Sequence, residues 1–374
     1  MKKYRIWSLF LAAALLFSLC ACGGSSPSEE GKAGSSSAMQ GQSGDSAKDD
    51  SGNGGEAAGQ DSAGTEMNQS SDSAGHELPA LPMLTDTRPE EYQEYTFTTL
   101  NGDEVTFNRN TRKIVCLFGS QDVVAFGIPL LAYENSTEIE GYESFYEGAE
   151  KLLNSSPFSP EEILSFEPEL ILVNERMSES NIAALSKVAP VIPLYTDSID
   201  FTTRLSYIGE IFGLEDSAEQ LIAYADGLRD AMVQQLKDLG LSDKTLTLFT
   251  YMGAITIPPE RGWFMNTILY DYVGLKRLPN VEKFMQDESG VAYEAISAEK
   301  LMEYEGDLVI YAGFGEGTIS TYVTENVGWQ SLKAVRENRV GILDITPYAQ
   351  KGVILLEVQY RQILEALKAA AQIG

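Results

Sequence analysis

The sequence LEDSAEQLIAYADGLRDAMVQQLKDL, residues 214–239, decides how the rest of the chain is arranged. Its large apolar side chains recur at steps of three or four, which places them on one face of a single helix: Leu221, Tyr224, Leu228, Met232, Leu236 and Leu239. Ser217 is expected to cap its start with Gln220 as capping-box partner, and Gly240 follows its end, where a left-handed residue is favoured. Such a helix is roughly 35–40 Å long, about the width of a domain. We therefore expect it to join two lobes; the alternative is a surface helix of one domain.

The beginning of the chain has the pattern of a lipoprotein signal peptide. Three basic residues precede the mostly apolar run 6–19, which is short for a membrane-spanning helix, since that needs ~20 residues. The sequence LCACG at 19–23 resembles a bacterial lipobox, in which the cysteine after a small residue is lipidated. Cys22 follows alanine and fits this pattern, whereas Cys20 follows leucine and fits poorly. We expect residues 1–22 to be this signal with Cys22 lipidated; a plain cleaved signal is the alternative.

Residues 23–90 are rich in small, polar and acidic residues, with almost no large apolar side chain before Leu78. Such a segment cannot bury enough apolar surface to fold, so it is predicted to be a disordered tether. A chain of ~60 residues of this composition has a root-mean-square span of roughly 40–45 Å. That reach suits a protein held at a membrane.

The charge and the rare residues exclude several functions. The net charge is −28; residues 1–22 hold three bases and residues 23–90 hold twelve acids and three bases, so the remaining residues carry −22. This balance argues against nucleic acid or an anionic membrane surface as a direct partner. The one histidine, His76, lies in the tether, which excludes histidine-dependent hydrolases, zinc sites and histidine-ligated haem from the folded part. Tyrosine-ligated haem remains open. Cys116 lies in an apolar run and is expected to be buried.

Strand and helix patterns alternate on both sides of the long helix. An Asn101-Gly102 turn between alternating residues predicts a hairpin at 95–107. Further strands are predicted at 113–118, 130–133, 170–173, 191–194, 245–251, 308–311 and 340–344. Helices are predicted at 121–126, 159–166, 178–188, 201–212, 263–273, 298–304, 319–326 and 353–370. This alternation predicts an α/β fold with two Rossmann-like lobes and largely parallel sheets. We place the lobes at residues 91–213 and 241–374 and the bridging helix at 214–240.

An internal repeat flanks the long helix. SPEEILSFEPELILV at 159–173 matches SAEKLMEYEGDLVIY at 297–311 in most positions. Each copy reads as a short helix, a tight turn and a buried strand. Chance similarity of two α/β units is the alternative, but the copies lie on opposite sides of the helix. Two lobes of like build around one helix form a cleft, and clefts bind ligands.

The chain resembles bacterial ABC-transporter solute-binding proteins whose lobes are joined by one rigid helix. The similarity covers nearly all of residues 91–374 and is greatest to the ferric-siderophore and cobalamin branch, especially Gram-positive ferric-hydroxamate binders. It rests on the order and spacing of several segments: RKIVCLFGSQDVVAFGI (112–128), the first repeat copy, the long helix, RGWFMNTILYDYVGLK (261–276), YEAISAEKLMEYEGDLVIY (293–311) and WQSLKAVRENRVGILD (329–344). It implies a monomeric receptor on the extracellular face of the cell membrane, attached through its lipid only. The receptor would capture a ferric siderophore, of the hydroxamate type, and deliver it to an ABC permease.

The resemblance also implies two docking residues. In that family one acidic residue on each lobe docks into arginine pockets of the permease, and the matching positions are Glu161 and Glu299. Carboxylates make strong bidentate contacts with guanidinium groups. The alternative is that each glutamate only favours the dipole of a helix start; both roles can hold together.

Ligand-binding candidates follow from the rule that ligands bind beyond the carboxyl ends of parallel strands. A ferric hydroxamate already fills the coordination shell of its iron, so no cofactor and no protein metal ligand is expected. Aromatic faces would suit the carbon skeleton of the carrier, and cationic groups would suit its oxygens. The candidates of these types are Arg176, Tyr251, Arg261 and Trp263, followed by Tyr142, Phe314 and Tyr348. Ordinary packing or loop exposure is the alternative for each of them.

Three other functions remain open on the sequence. The same fold could bind cobalamin or haem. A carboxylate-dependent surface hydrolase would need two acids ~5–10 Å apart in the cleft. A sensor or adhesin could use the fold without transport.

Overall fold

The computed structural model describes residues 78–134, 141–152, 158–195, 200–258, 264–285, 295–313, 319–345 and 352–373, all within the compact unit Glu66–Gly374. The predicted signal peptide, Cys22 and the tether as far as residue 77 lie outside these ranges. Within the ranges, no helix combines the length and the apolar character needed to cross a bilayer.

The first lobe is built on a parallel sheet of five strands in the order β5-β4-β3-β6-β7. An antiparallel hairpin precedes it, and Gly102 takes the positive φ of 88° that the predicted turn requires. The strands are β1 (Glu94–Thr98), β2 (Glu104–Asn108), β3 (Ile114–Cys116), β4 (Ala132–Tyr133), β5 (Glu150–Lys151), β6 (Leu170–Asn174) and β7 (Val191–Leu194). The helices are α1 (Ser120–Ala125), α2 (Pro160–Leu164), α3 (Glu179–Leu185) and α4 (Phe201–Phe212), with a 3₁₀ turn at Glu143–Tyr146.

The second lobe has a sheet of four strands in the order β11-β10-β8-β9, of which only β9 is antiparallel. Its strands are β8 (Leu246–Tyr251), β9 (Ile255–Thr256), β10 (Leu308–Gly313) and β11 (Val340–Asp344). Its helices are α6 (Phe264–Asn266), α7 (Pro279–Met285), α8 (Thr321–Thr324), α9 (Val327–Ser331), α10 (Lys333–Arg336) and α11 (Leu356–Ala371). A π-helical segment spans Thr267–Tyr272, and 3₁₀ turns span Leu301–Tyr304 and Val353–Leu355. The fold of two α/β lobes with largely parallel sheets is therefore confirmed.

The bridging helix α5 (Glu215–Asp238) joins the two lobes and confirms the predicted periodic face. Five of its six predicted apolar residues are buried, and the sixth, Leu239, is partly buried. A continuous cluster of buried apolar side chains runs from the first sheet through this helix into the second sheet. Gly240 takes the predicted left-handed conformation. The predicted Ser217 cap is wrong: the N-cap is Leu214, which makes no side-chain capping bond, because the helix begins directly at the α4–α5 corner where the Leu214 amide bonds to Gly209.

The two copies of the repeat occupy equivalent places. Strands β6 and β10 each pair with the first parallel strand of their sheet, β3 and β8. The Glu169 carboxylate accepts a bond from the Thr111 hydroxyl at 2.8 Å, and Asp307 accepts one from the Thr245 hydroxyl at 3.0 Å. In each lobe, therefore, the acidic residue just before the repeat strand accepts a hydrogen bond from the threonine that precedes the first parallel strand, β3 or β8.

The segment just before residue 91 packs on the first lobe. Leu78, Leu81 and Leu84 contact the apolar core. Arg88 is buried, makes a bidentate contact with Asp86 at 2.8 and 2.9 Å, and lies over the Phe212 ring. The packed structure thus begins earlier in the chain than the predicted boundary of the tether.

Candidate functional site

The segment that follows β3 in the first lobe contacts a segment that follows β11 in the second lobe. Helix α1 follows the carboxyl end of β3, and the turn Val353–Leu355 follows β11 in the second lobe. The Val353 amide donates a hydrogen bond to Oδ1 of Asp122 in α1 at 2.7 Å. A Cβ added to Gly352 would lie 1.9 Å from the Gln121 Cβ, so only glycine allows this approach. The edges where parallel sheets bind ligands therefore lie at the junction of the lobes.

A buried ion pair fixes the base of this junction. Arg204 Nε lies 2.6 Å from Asp122 Oδ2, and both side chains are almost fully enclosed. The Arg204 guanidinium also lies over the Phe201 ring, and the Phe201 amide donates to the Tyr272 hydroxyl of the second lobe at 2.9 Å. Burial raises the pKa of Asp122, while Arg204 and the Val353 amide oppose that rise. These contacts hold the base of the junction, which leaves the outer part of the edges for a ligand.

The second lobe presents aromatic side chains at its carboxyl edge. Tyr251 ends β8 and is partly buried, and its ring stacks on Tyr322 of α8 with centroids 5.6 Å apart and planes at 5°. Tyr322 is 71% exposed, and Met252 beside Tyr251 is also exposed. Gly253, at φ 82°, turns the chain back into β9. The predicted Tyr251 thus belongs to an open apolar surface suited to the carbon skeleton of a carrier.

Tyr322 and Met252 were not predicted as site residues. Tyr322 lies in the polar stretch STYVTEN, where only a large aromatic residue next to the buried Val323 points to a function. Met252 follows directly after a strand and has no distinctive sequence context. Both were missed because the fold, rather than a motif, brings them together.

The first lobe presents polar groups at its edge. Arg176 is exposed on the turn after β6, and its amide donates to Asn174 Oδ1 at 2.7 Å. Glu134 follows β4, and its Oε1 accepts a bond from the Ser120 amide at 3.1 Å. Burial raises the pKa of Glu134 to about 6, against the lowering effect of hydrogen bonds from Ser120 and Gly119. The Ser120 hydroxyl lies 3.1 Å from the Tyr146 hydroxyl. Among these groups, the exposed Arg176 can offer charge and hydrogen bonds to the oxygens of a ligand, whereas Ser120 is buried.

Other predicted residues have different settings. Tyr142 is partly buried and close to Glu357 and Arg361 of α11; burial raises its pKa to about 12, Glu357 adds to the rise and Arg361 opposes it. Arg261, Trp263, Phe314 and Tyr348 lie outside the described residues, so their roles stay predictions. Cys116 is a buried free thiol, as expected.

Glu161 and Glu299 are both exposed, one on each lobe. Glu161 lies in the first turn of α2 and accepts a hydrogen bond from the Ser159 hydroxyl at 2.9 Å. The backbone amide of Glu161 and the Ser159 hydroxyl lower the pKa of this carboxyl. Glu299 lies in the turn that leads into Leu301–Tyr304. Among the described residues, no group of three or more His, Cys, Asp or Glu side chains could hold a metal ion.

Several known proteins are similar to this chain in sequence or in structure. The "Iron-uptake system-binding protein" of Bacillus subtilis is 30% identical over 219 residues, 57% of this chain and 64% of that protein, just under two thirds of its length. The "Iron(3+)-hydroxamate-binding protein FhuD" of Bacillus subtilis is 25% identical over 283 residues, covering 74% and 87%. The structure of FhuD2 from Staphylococcus aureus with bound ferrioxamine B has a TM-score of 0.56 and 20% identity, covering 69% and 98%. The profile of the family described as "Periplasmic binding protein" matches residues 127–346. This match over more than half of the chain shows that it belongs to the periplasmic binding protein family.

Proposed function

We propose that the protein is a lipid-anchored receptor that captures a ferric siderophore, of the hydroxamate type, and delivers it to an ABC permease. The observation that carries the proposal is the stacked and open pair Tyr251 and Tyr322 at the carboxyl edge of the second sheet. The relative named for iron(3+)-hydroxamate binding supports the hydroxamate class. The relative named for iron uptake supports an iron complex but not its chemical type. The protein binds and releases its ligand without changing it, and the iron arrives fully coordinated, so no cofactor is needed.

The charge of the chain favours a hydroxamate over a catecholate. A ferric tris-hydroxamate core is neutral, whereas a ferric tris-catecholate is a trianion. A strongly acidic protein repels a trianion at long range and lowers its rate of association. The chain carries −28 overall, and Glu134 and Glu175 flank the polar edge of the first lobe. A neutral or cationic ferric hydroxamate therefore suits this surface better.

Intrinsic tryptophan fluorescence tests the ligand class. We expect ferrioxamine B to quench the fluorescence saturably, and iron-free desferrioxamine B, a ferric tris-catecholate, cobalamin and haem to act weakly or not at all. Saturable quenching by cobalamin alone or by haem alone would show that the protein binds that ligand instead. Binding of none of these by folded protein would overturn the proposal and favour a hydrolase, a sensor or an adhesin.

Delivery is proposed to use Glu161 and Glu299. Their exposure on separate lobes supports contact with a large partner, and carboxylates pair well with arginine pockets. We expect Glu161→Ala with Glu299→Ala to leave the affinity for ferrioxamine B unchanged and to abolish uptake of the iron complex by cells. Normal uptake in this double variant would refute the docking role.

The anchor is proposed to be lipid on Cys22. The lipobox pattern supports it, together with the polar segment that would space the monomeric receptor from the membrane. Cys22→Ala should release the protein from the membrane fraction into the medium, while Cys20→Ala should not. The reverse result would assign the lipid to Cys20.

A further inference from the structure

The repeat exposes an apolar side chain at the same position in both lobes. Leu164 is 56% exposed and Met302 is 53% exposed, and they align with each other in the two copies. The preceding residues, Ile163 and Leu301, align as well and are completely buried. Burial of one residue and exposure of the next is thus a shared feature of the two copies, although one forms an α-helix and the other a 3₁₀ turn.

Each exposed apolar residue follows a proposed docking glutamate by three positions. Residues three apart lie on the same face of an α-helix and eclipse each other in a 3₁₀ turn. Leu164 therefore lies on the side of α2 that carries Glu161. In the second lobe, Glu299 lies in the turn directly before the 3₁₀ segment that contains Met302, three positions away. Single exposed apolar residues are ordinary on protein surfaces. Two at matched positions beside matched carboxylates are not explained by packing within either lobe.

We propose that Leu164 and Met302 are contact residues for the two membrane subunits of the permease. Each lobe presents one docking patch, defined as Glu161 with Leu164 on the first lobe and Glu299 with Met302 on the second. The partner of each patch is a permease subunit that offers a cationic side chain beside an apolar recess. Each patch combines one carboxylate with one apolar side chain, so we expect both subunits to offer a cationic and an apolar group, in different proportions. This inference rests on the proposed delivery function.

The two docking patches differ in the balance of charge and apolar surface. Glu162 adds a second acid beside the first patch, whereas Lys300 lies beside Glu299 in the second. The second patch is also extended by Val327, which is 70% exposed. The neighbouring Gly328 packs so closely on Ala298 that an added Cβ would lie 2.4 Å from the Ala298 carbonyl oxygen. The first patch therefore binds more through charge, and the second more through apolar contact.

The test measures binding of the full-length protein to the permease of its importer, reconstituted in lipid nanodiscs. Leu164→Ser with Met302→Ser should weaken binding ~100-fold, about tenfold for each buried apolar contact. The matched control is Leu100→Ser with Met83→Ser, which replaces the same residue types at 52% and 60% exposure away from the patches. The control should bind like the unaltered protein, and ferrioxamine B should quench the fluorescence of all variants equally.

The salt dependence of binding distinguishes the charged contact of the first patch from the apolar contact of the second. Raising the salt concentration should remove most of the effect of Glu161→Gln, because exposed charges are screened, and should leave the effect of Met302→Ser in place. Equal binding by the apolar double variant and its control would overturn the inference. If the glutamate variants still lose binding in that case, the delivery proposal survives. If ferrioxamine B does not quench the fluorescence of the unaltered protein, this result would instead count against the proposed function.

Discussion

The base of the lobe junction, formed by Asp122 and Arg204, differs in burial and charge from its rim, formed by Tyr251 and Tyr322. At the base, Asp122 and Arg204 are almost fully enclosed, and Asp122 also accepts the Val353 amide from the other lobe. At the rim, Tyr251 and Tyr322 stack on each other with most of the Tyr322 surface open. Removing either member of a buried ion pair leaves an unpaired buried charge, which is costly. Removing an exposed ring costs the fold little.

This difference separates the work of the two regions. The base helps to determine how the lobes meet, together with the bridging helix. We propose that the rim contacts the ligand. Substitutions at the base should therefore change mainly stability and lobe geometry, and substitutions at the rim should change mainly affinity.

The largest effect is expected from Arg204→Ala. It leaves the Asp122 carboxylate buried and unpaired, which should reduce the free energy of unfolding by about 3–5 kcal/mol. Urea denaturation followed by circular dichroism measures the change. Arg229→Ala is the control, because Arg229 pairs with Asp226 and Asp230 on the surface of α5 and should cost no more than about 1 kcal/mol. Equal losses in the two variants would show that the base does not hold the lobes.

Gly352→Ala should act at the same place by steric conflict. Its new Cβ would overlap the Gln121 Cβ and crowd the backbone of α1, so the lobes must shift apart or the turn must move. Overpacking of this kind costs about 1–3 kcal/mol. Thermal unfolding gives the stability change, and small-angle X-ray scattering gives the lobe separation. A variant with unchanged unfolding temperature and scattering would refute the close approach at the base.

At the rim, Tyr251→Ala with Tyr322→Ala should weaken ferrioxamine B binding about 10–100-fold, because the ligand loses two aromatic faces. Tyr322→Ala alone should leave the unfolding temperature nearly unchanged, because its ring is 71% exposed, whereas Tyr251 packs partly on the core. Tyr92→Ala is the matched control, since the exposed fraction of Tyr92 is 69%, against 71% for Tyr322. Tyr92 precedes β1 and is far from Tyr322 in the sequence. Unchanged affinity in the double variant would move the ligand away from this surface.

The smallest effect concerns Glu134. Burial raises its pKa from 4.5 to about 6, so the folded state binds more protons than the unfolded state between these values. Protonated Glu134 therefore makes its full contribution to the free energy of unfolding below about pH 4.5. This contribution, about 2 kcal/mol, is lost as the pH rises through about 6. Glu134→Gln should remove this loss from a pH series of urea denaturations. An identical pH dependence in both proteins would contradict the assignment.

The bridging helix, placed at 214–240, spans Glu215–Asp238, so its ends could be predicted within two residues, because its apolar period is long and uninterrupted. The repeat likewise predicted one buried strand in each lobe, and β6 and β10 are these strands. Its second helix was predicted at 298–304, but only the 3₁₀ turn Leu301–Tyr304 forms, where Gly328 packs directly on Ala298. The π-helical segment Thr267–Tyr272 was also predicted as ordinary helix, since no local sequence pattern distinguishes the two.

The site could be predicted only in part. Tyr251 and Arg176 follow predicted strands, so the carboxyl-edge rule places them. Tyr322 stacks on Tyr251 across 71 positions of sequence, and Asp122 meets Arg204 and Val353 from distant segments. Contacts of this range depend on how elements pack, which the periodicity of one segment does not determine.

The most direct measurement is equilibrium dialysis of the full-length protein against radiolabelled ferrioxamine B. We expect that folded protein retains the iron complex one-to-one, that excess iron-free desferrioxamine B does not displace it, and that Tyr251→Ala with Tyr322→Ala retains far less. Equal label on both sides of the membrane, with protein shown to be folded by circular dichroism, would contradict the central claim.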